Sequence, residues 1–121
     1  MIKGVHAMFY SSDAQALREF IRDKLGLPHT DVGDGWLIFD VPEGDIGCHP
    51  TDRPGSPNAG SHSISFYCDD IQETVAALSK RGVEFEDEIS DQGYGWVTHF
   101  SMPGGVVVEL YQPRYQKRSK G

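Results

Sequence analysis

Two histidines stand at matching places in a phrase that the chain writes twice, His6-Ala-Met-Phe-Tyr-Ser-Ser-Asp13 and His62-Ser-Ile-Ser-Phe-Tyr-Cys-Asp69. In both copies the histidine precedes by seven residues an aspartate suited to cap a helix. A neutral imidazole is a common ligand for divalent transition metals. The repeat puts two of them at equivalent positions of two like units, and equivalent positions become neighbours when such units pair. A third group stands near the end of the chain. Two-residue alternation places Glu109 on one strand face with Val107 and Tyr111, and a carboxylate on such an apolar face calls for a cation, a basic side chain or water in an open groove.

The elements that must position these residues follow from periodicity and punctuation. Residues 2–10 read as a strand. Ser12 and Asp13 then offer a helix cap, and Leu17, Phe20, Ile21 and Leu25 recur at helical spacing before Gly26. Pro28 and Gly33-Asp34-Gly35 break the chain, after which 36–41 and 45–48 read as short strands across the turn Pro42-Glu43-Gly44. Residues 50–60 hold three prolines and two glycines with no apolar period, and read as a linker. The order then repeats: strand 62–68, a helix from Asp69-Asp70 with Ile71, Val75 and Leu78 on one face, a short strand at 83–85, and strands 95–101 and 105–111. One domain over 1–121 is expected, with module one at 1–49, linker 50–60, module two at 61–112 and a tail at 113–121.

Composition narrows the partners. A net charge of −7 with few clustered cations argues against nucleic acid, which needs a cationic surface. No stretch approaches the roughly 18 apolar residues of a membrane span, and residues 1–10 show no basic leader, so a cytoplasmic chain is expected. Cys48 and Cys68 lack the number and spacing of a disulfide framework and read as reduced thiols.

Taken in order, these pieces resemble the vicinal oxygen chelate superfamily, which includes glyoxalase I, bleomycin-resistance proteins, extradiol dioxygenases and fosfomycin-resistance enzymes. The resemblance runs over nearly the whole chain. It rests on the two histidine-to-aspartate phrases, the helix exits Leu25-Gly26-Leu27 and Arg81-Gly82-Val83, and the run from Met102-Pro103-Gly104-Gly105 to Glu109-Leu110-Tyr111. It implies an α+β fold of two βαβββ modules forming a curled mixed sheet around a metal-binding groove. Metal ligands in that family lie on the first strand of each module and on the last strand, places held here by His6, His62 and Glu109. Two imidazoles and a carboxylate suit one divalent Fe, Mn, Ni or Zn and leave positions open for substrate.

A fourth ligand depends on register. Superposing the two hairpins through Pro42 and Pro103 sets Cys48 opposite Glu109, and a one-residue gap sets His49 there instead. In glyoxalase I this position normally carries a carboxylate or amide-type ligand, so a histidine there is a departure. His99 lies ten residues before Glu109, where extradiol dioxygenases commonly place a substrate-binding tyrosine; it and Tyr94 are the candidates for catalytic roles. Trp96 and Tyr111 either bind substrate in the groove or fill core.

The function implied is a metal-dependent lyase, isomerase or dioxygenase acting on a small substrate chelated through neighbouring oxygens. The alternative is a metal-free protein that sequesters a ligand, as bleomycin-resistance proteins do. Residues 82–113 contain neither Lys nor Arg, which speaks against a phosphonate substrate. A homodimer is expected, because two small modules leave sheet edges and groove surface to cover.

Overall fold

The computed structural model describes residues 6–44, 55, 57 and 61–114. Helix α1 (Ala14–Phe20) starts where the Asp13 carboxylate accepts the Ala16 backbone N–H at 3.1 Å, and runs into a π-helical turn, Ile21–Leu25. Gly26, at φ 69°, ends it in the left-handed conformation that closes many helices. A hairpin of β1 (His29–Asp31) and β2 (Leu37–Phe39) follows. After it come β3 (Ser65–Tyr67), α2 (Ile71–Lys80), β4 (Ser90–Asp91), β5 (Gly95–Met102) and β6 (Val106–Pro113). The last four strands form one sheet in the order β3-β6-β5-β4, with β3 parallel to β6 and the other pairs antiparallel.

The α+β class is as the sequence implies, with a curled sheet that does not close, and the second module's sheet has four strands, though its fourth is the unexpected Ser90–Asp91 in place of 83–85. Helix α2 begins at the expected place, where the Asp70 carboxylate accepts the Glu73 N–H at 3.0 Å. Three details differ. Residues 6–10 carry no strand, since they make no ladder with another strand among the described residues. The polar stretch His29–Asp31, where no element is expected between the breaks at Pro28 and Gly33-Asp34-Gly35, becomes a strand through antiparallel pairing with Leu37–Phe39. The strand expected at 83–85 is reduced to one bridge, Phe85 to Phe100. The strand expected at 45–48 and most of the linker 50–60 lie outside the described residues, as do Cys48 and His49.

One face of the sheet is closed and the other open. Phe100, Met102, Val108 and Leu110 alternate along β5 and β6 onto the helix side, where Leu17, Ile21, Ile71 and Val83 complete the core. Phe100 lies at its centre, stacked on Phe66 with centroids 6.4 Å apart and edge-on to Phe85 at 5.5 Å. The intervening residues of β6, Val107, Glu109 and Tyr111, face the other way, and Val107 is 57% exposed. Glu109 therefore stands on an open face rather than among core positions. Module one is clasped to the sheet at the β5–β6 turn: Ser11 Oγ donates to the Pro103 carbonyl at 2.7 Å and the Ser12 N–H to the Gly104 carbonyl at 3.1 Å.

Candidate active site

Register brings the polar residues of the open face into one row. Ser65 on β3 and His99 on β5 are both partners of Glu109 on β6, so the three side chains stand abreast across three strands. Ser65 Oγ donates to Glu109 Oε2 at 2.6 Å, and His99 Nε2 lies 3.8 Å from Glu109 Oε1. The partner that the Glu109 carboxylate calls for is thus the Ser65 hydroxyl, with the His99 ring beside it beyond hydrogen-bond distance.

His99 is gripped from behind. Residues 84–87 run alongside β5, with the Glu86 N–H donating to the His99 carbonyl at 2.7 Å and the Ser101 N–H to the Glu84 carbonyl at 3.1 Å. This brings Asp87 against His99. Its Oδ1 accepts the His99 backbone N–H and the Thr98 hydroxyl, each at 2.8 Å, and its Oδ2 lies 2.9 Å from His99 Nδ1. Partial desolvation raises the Asp87 carboxyl, but the hydrogen bonds from Thr98 and His99 outweigh it and leave the group below its ordinary range.

The row forms the polar wall of a groove of about 380 Å³ lined by Phe9, His62, Ser63, Ile64, Ser65, His99, Val107 and Glu109. Phe9, Ile64 and Val107 supply the apolar part, and the Phe9 ring packs on Phe66 at 6.1 Å, which ties the 6–10 segment to the sheet. Among the described residues, no Lys or Arg lines the groove. Of the metal ligands expected, the fold brings His62 and Glu109 to this groove, while His6 is exposed and lies outside the lining. Among the described residues, no three His, Cys, Asp or Glu side chains converge closely enough to hold an ion. The donor chemistry suits a divalent metal, and one chain's described residues supply it only in part.

The aromatic residues fall elsewhere. Tyr111 shares the open face, one step along the strand from Glu109, with its ring 5.8 Å from that of Tyr94. That ring crosses Gly95, where a Cβ would come within 2.5 Å of Tyr111 Cε1 and of the Gln112 carbonyl oxygen. Trp96 lies with Asp69, Asp70, Ile71, Gln72, Ile89 and Gln112 around a second hollow, and the Arg114 guanidinium stacks on its ring at 4.2 Å. Asp87 was not singled out by the sequence; only the pairing of 84–87 with β5 reveals it.

Comparison with known proteins gives the same architecture. The Glyoxalase/Bleomycin resistance protein/Dioxygenase superfamily matches residues 4–110. The chain belongs to this superfamily. Among solved structures, this glyoxalase-superfamily chain is similar to TnmS3, an antibiotic-binding protein from Streptomyces sp. CB03234, at 24% identity and TM-score 0.59, over 90% of this chain and 99% of that one. It is also similar to lactoylglutathione lyase from Agrobacterium tumefaciens, at 21% identity and TM-score 0.56, over 91% and 96% of the two chains. A third likeness is to the fosfomycin resistance protein FosX from Listeria monocytogenes, at 19% identity and TM-score 0.56, over 99% and 98%. These likenesses establish the shared fold. No curated protein sequence matches the chain. Among the described residues, no helix is long and apolar enough to cross a membrane.

Proposed function

We propose that this chain is a metal-dependent enzyme of the glyoxalase superfamily that acts on a small molecule held in the open-face groove. The observation that carries this reading is the convergence of His62, His99 and Glu109 on one groove, with Glu109 bonded by Ser65 and His99 bonded by Asp87. His62 and Glu109 are the metal ligands from one chain, and His6, which stands outside the groove of its own chain, is supplied by a second copy in a homodimer. Cys48 or His49 is the further ligand where one is used. A divalent Fe, Mn, Ni or Zn bound by these residues would supply polarisation of neighbouring substrate oxygens and stabilisation of charge developing on them.

The chain's own residues do the rest. Ser65 fixes the orientation of the Glu109 carboxylate, and Phe9, Ile64 and Val107 take the apolar part of the substrate. His99 Nε2 meets a substrate hydroxyl and moves its proton. The acidic surroundings, with Glu109 in the groove and Asp87 behind it, favour a neutral or cationic substrate over a phosphonate.

Metal content of the purified protein tests the reading. About one transition metal per chain is expected, lost in a His62→Ala, Glu109→Ala double variant that keeps the circular dichroism of the parent. Mixing and refolding His6→Ala with Glu109→Ala chains then tests sharing. In a mixed dimer one site carries both intact ligands, so metal binding returns, whereas a site within one chain gives no recovery. Protein that stays metal-free after reconstitution with Fe, Mn, Ni and Zn removes the enzyme reading and leaves metal-free ligand capture.

A further inference from the structure

We propose that Asp87 is a positioning residue that fixes which face of the His99 ring carries the proton, so that His99 offers a bare Nε2 to the groove as a hydrogen-bond acceptor for a substrate hydroxyl. The proposal rests on the groove being the substrate site.

The geometry sets two carboxylates in competition for one ring proton. Asp87 Oδ2 lies 2.9 Å from Nδ1, and Glu109 Oε1 lies 3.8 Å from Nε2. An ionised carboxylate only accepts, so a ring nitrogen at hydrogen-bond distance from it is the one that carries hydrogen. At 2.9 Å the Asp87 contact is a hydrogen bond, and at 3.8 Å the Glu109 contact is too long to be one. The ring proton belongs on Nδ1, leaving the Nε2 lone pair toward the groove. Asp87 can hold this tautomer because it is itself held, by the His99 backbone N–H and by the Thr98 hydroxyl, the latter on a side chain only 1% exposed. The Thr98 hydroxyl also reaches the Asp87 carbonyl at 2.9 Å, which fixes backbone and side chain together. A histidine oriented by a carboxylate in this way is a recurrent device for setting tautomer and ring direction.

Replacing Asp87 by Asn reverses the preference. The amide oxygen still accepts from Thr98 and the His99 backbone, and the amide nitrogen then faces Nδ1 as a donor. The ring proton moves to Nε2, toward Glu109, and His99 presents a donor to the groove instead of an acceptor. One residue that lines no part of the groove thereby sets the sign of a hydrogen bond inside it.

The test is long-range proton–nitrogen correlation NMR on the 15N-labelled full chain at neutral pH after chelator treatment, with His99 assigned by comparison with a His99→Gln variant. The parent is expected to show a protonated Nδ1 and a bare Nε2. Asp87→Asn should show the opposite tautomer, and Thr98→Val, which spares the Asp87–His99 bond, should keep the parental one. Catechol, used as a neutral hydroxyl probe, should shift the Nε2 resonance of the parent by donating to the bare nitrogen, whereas in Asp87→Asn the Nε2 should stay protonated in its presence and can only donate to the catechol oxygen. A parent ring protonated at Nε2, an Asp87→Asn ring unchanged from the parent, or a parent Nε2 that does not respond to catechol overturns the proposal. Because these spectra are taken without metal, their failure leaves the metal reading to be decided by metal content alone.

Discussion

Ser65 Oγ donates to Glu109 Oε2 across the only parallel strand pair among the described residues, at 2.6 Å. The bond occupies one carboxylate oxygen and turns the other toward His99 and the groove. Partners that orient a ligating carboxylate commonly change metal affinity by about 10–100-fold when removed. Ser65→Ala is therefore expected to weaken metal binding by about that factor, read by competition with a chromogenic chelator, while leaving urea stability nearly unchanged because Ser65 is exposed. Unchanged affinity would show that the bond does not orient a ligand.

Asp87 and Asp91 should mark the acid side of the stability curve, alongside the exposed Asp23, which its hydrogen bond from Arg22 holds low. Desolvation raises Asp87, but its bonds from Thr98 and His99 prevail; Asp91 is lowered by the Gly93 backbone N–H first and by Arg114 second. Both folded carboxyls sit below the ordinary value of 3.8, so the unfolded chain takes up protons before the folded one does. Their stabilisation is complete above that value and is lost as pH falls through the lowered folded values. Urea midpoints measured from pH 6 downward should fall below about pH 4, and Asp87→Asn should flatten that limb. A parallel fall in the variant would mean that Asp87 contributes nothing to it.

Much of this arrangement is legible in the sequence where the signal is local. Asp70 capping a helix whose Ile71, Val75 and Leu78 share a face, and the Pro103-Gly104-Gly105 turn between two alternating strands, each carry their own evidence within a few residues. The alternation of β6 is readable, since it separates Glu109 from Val108 and Leu110, but the face it shares with Val107 and Tyr111 looks apolar in the sequence and only the packing shows it to be the open one. What the sequence hides is pairing. His29–Asp31 signals no element because its residues are polar and follow Pro28, and it becomes a strand only against Leu37–Phe39. Residues 6–10 carry the apolar run His6-Ala-Met-Phe-Tyr10 that suits a strand but have no ladder partner among the described residues. Asp87 stands 12 residues from His99, and neither charge nor spacing marks it; the contact comes from 84–87 lying antiparallel to β5.

Phe100 should be the most costly single truncation in the sheet. It is 1% exposed and lies between the Phe66 and Phe85 rings. Phe100→Ala leaves a cavity that neither ring can fill without shifting, and is expected to cost about 3–5 kcal/mol in urea unfolding. Val107→Ala, on the open face at 57% exposure, should stay within about 0.5 kcal/mol. Similar losses at both positions would contradict the division of the sheet into a closed and an open face.

The β5–β6 turn offers the sharpest test of how module one docks. Gly104 and Gly105 both hold positive φ, at 87° and 79°, so alanine at either meets the same backbone penalty of about 1 kcal/mol. Their surroundings differ. A Cβ on Gly104 would lie 1.7 Å from Ser11 Oγ, 2.7 Å from the Asp13 backbone nitrogen and 2.8 Å from that of Ser12, whereas a Cβ on Gly105 meets nothing within 4 Å. The serine side chain can rotate away, but only by giving up its bond to the Pro103 carbonyl, and the two backbone nitrogens cannot move without shifting the start of α1. Gly104→Ala should therefore cost about 1–3 kcal/mol more than Gly105→Ala in paired urea melts. Because Phe9 reaches the groove from the segment that this clasp anchors, Gly104→Ala should also weaken ligand binding there, while Gly105→Ala should not. Equal losses in the two variants would show that the Ser11–Gly104 contact does not hold module one in solution.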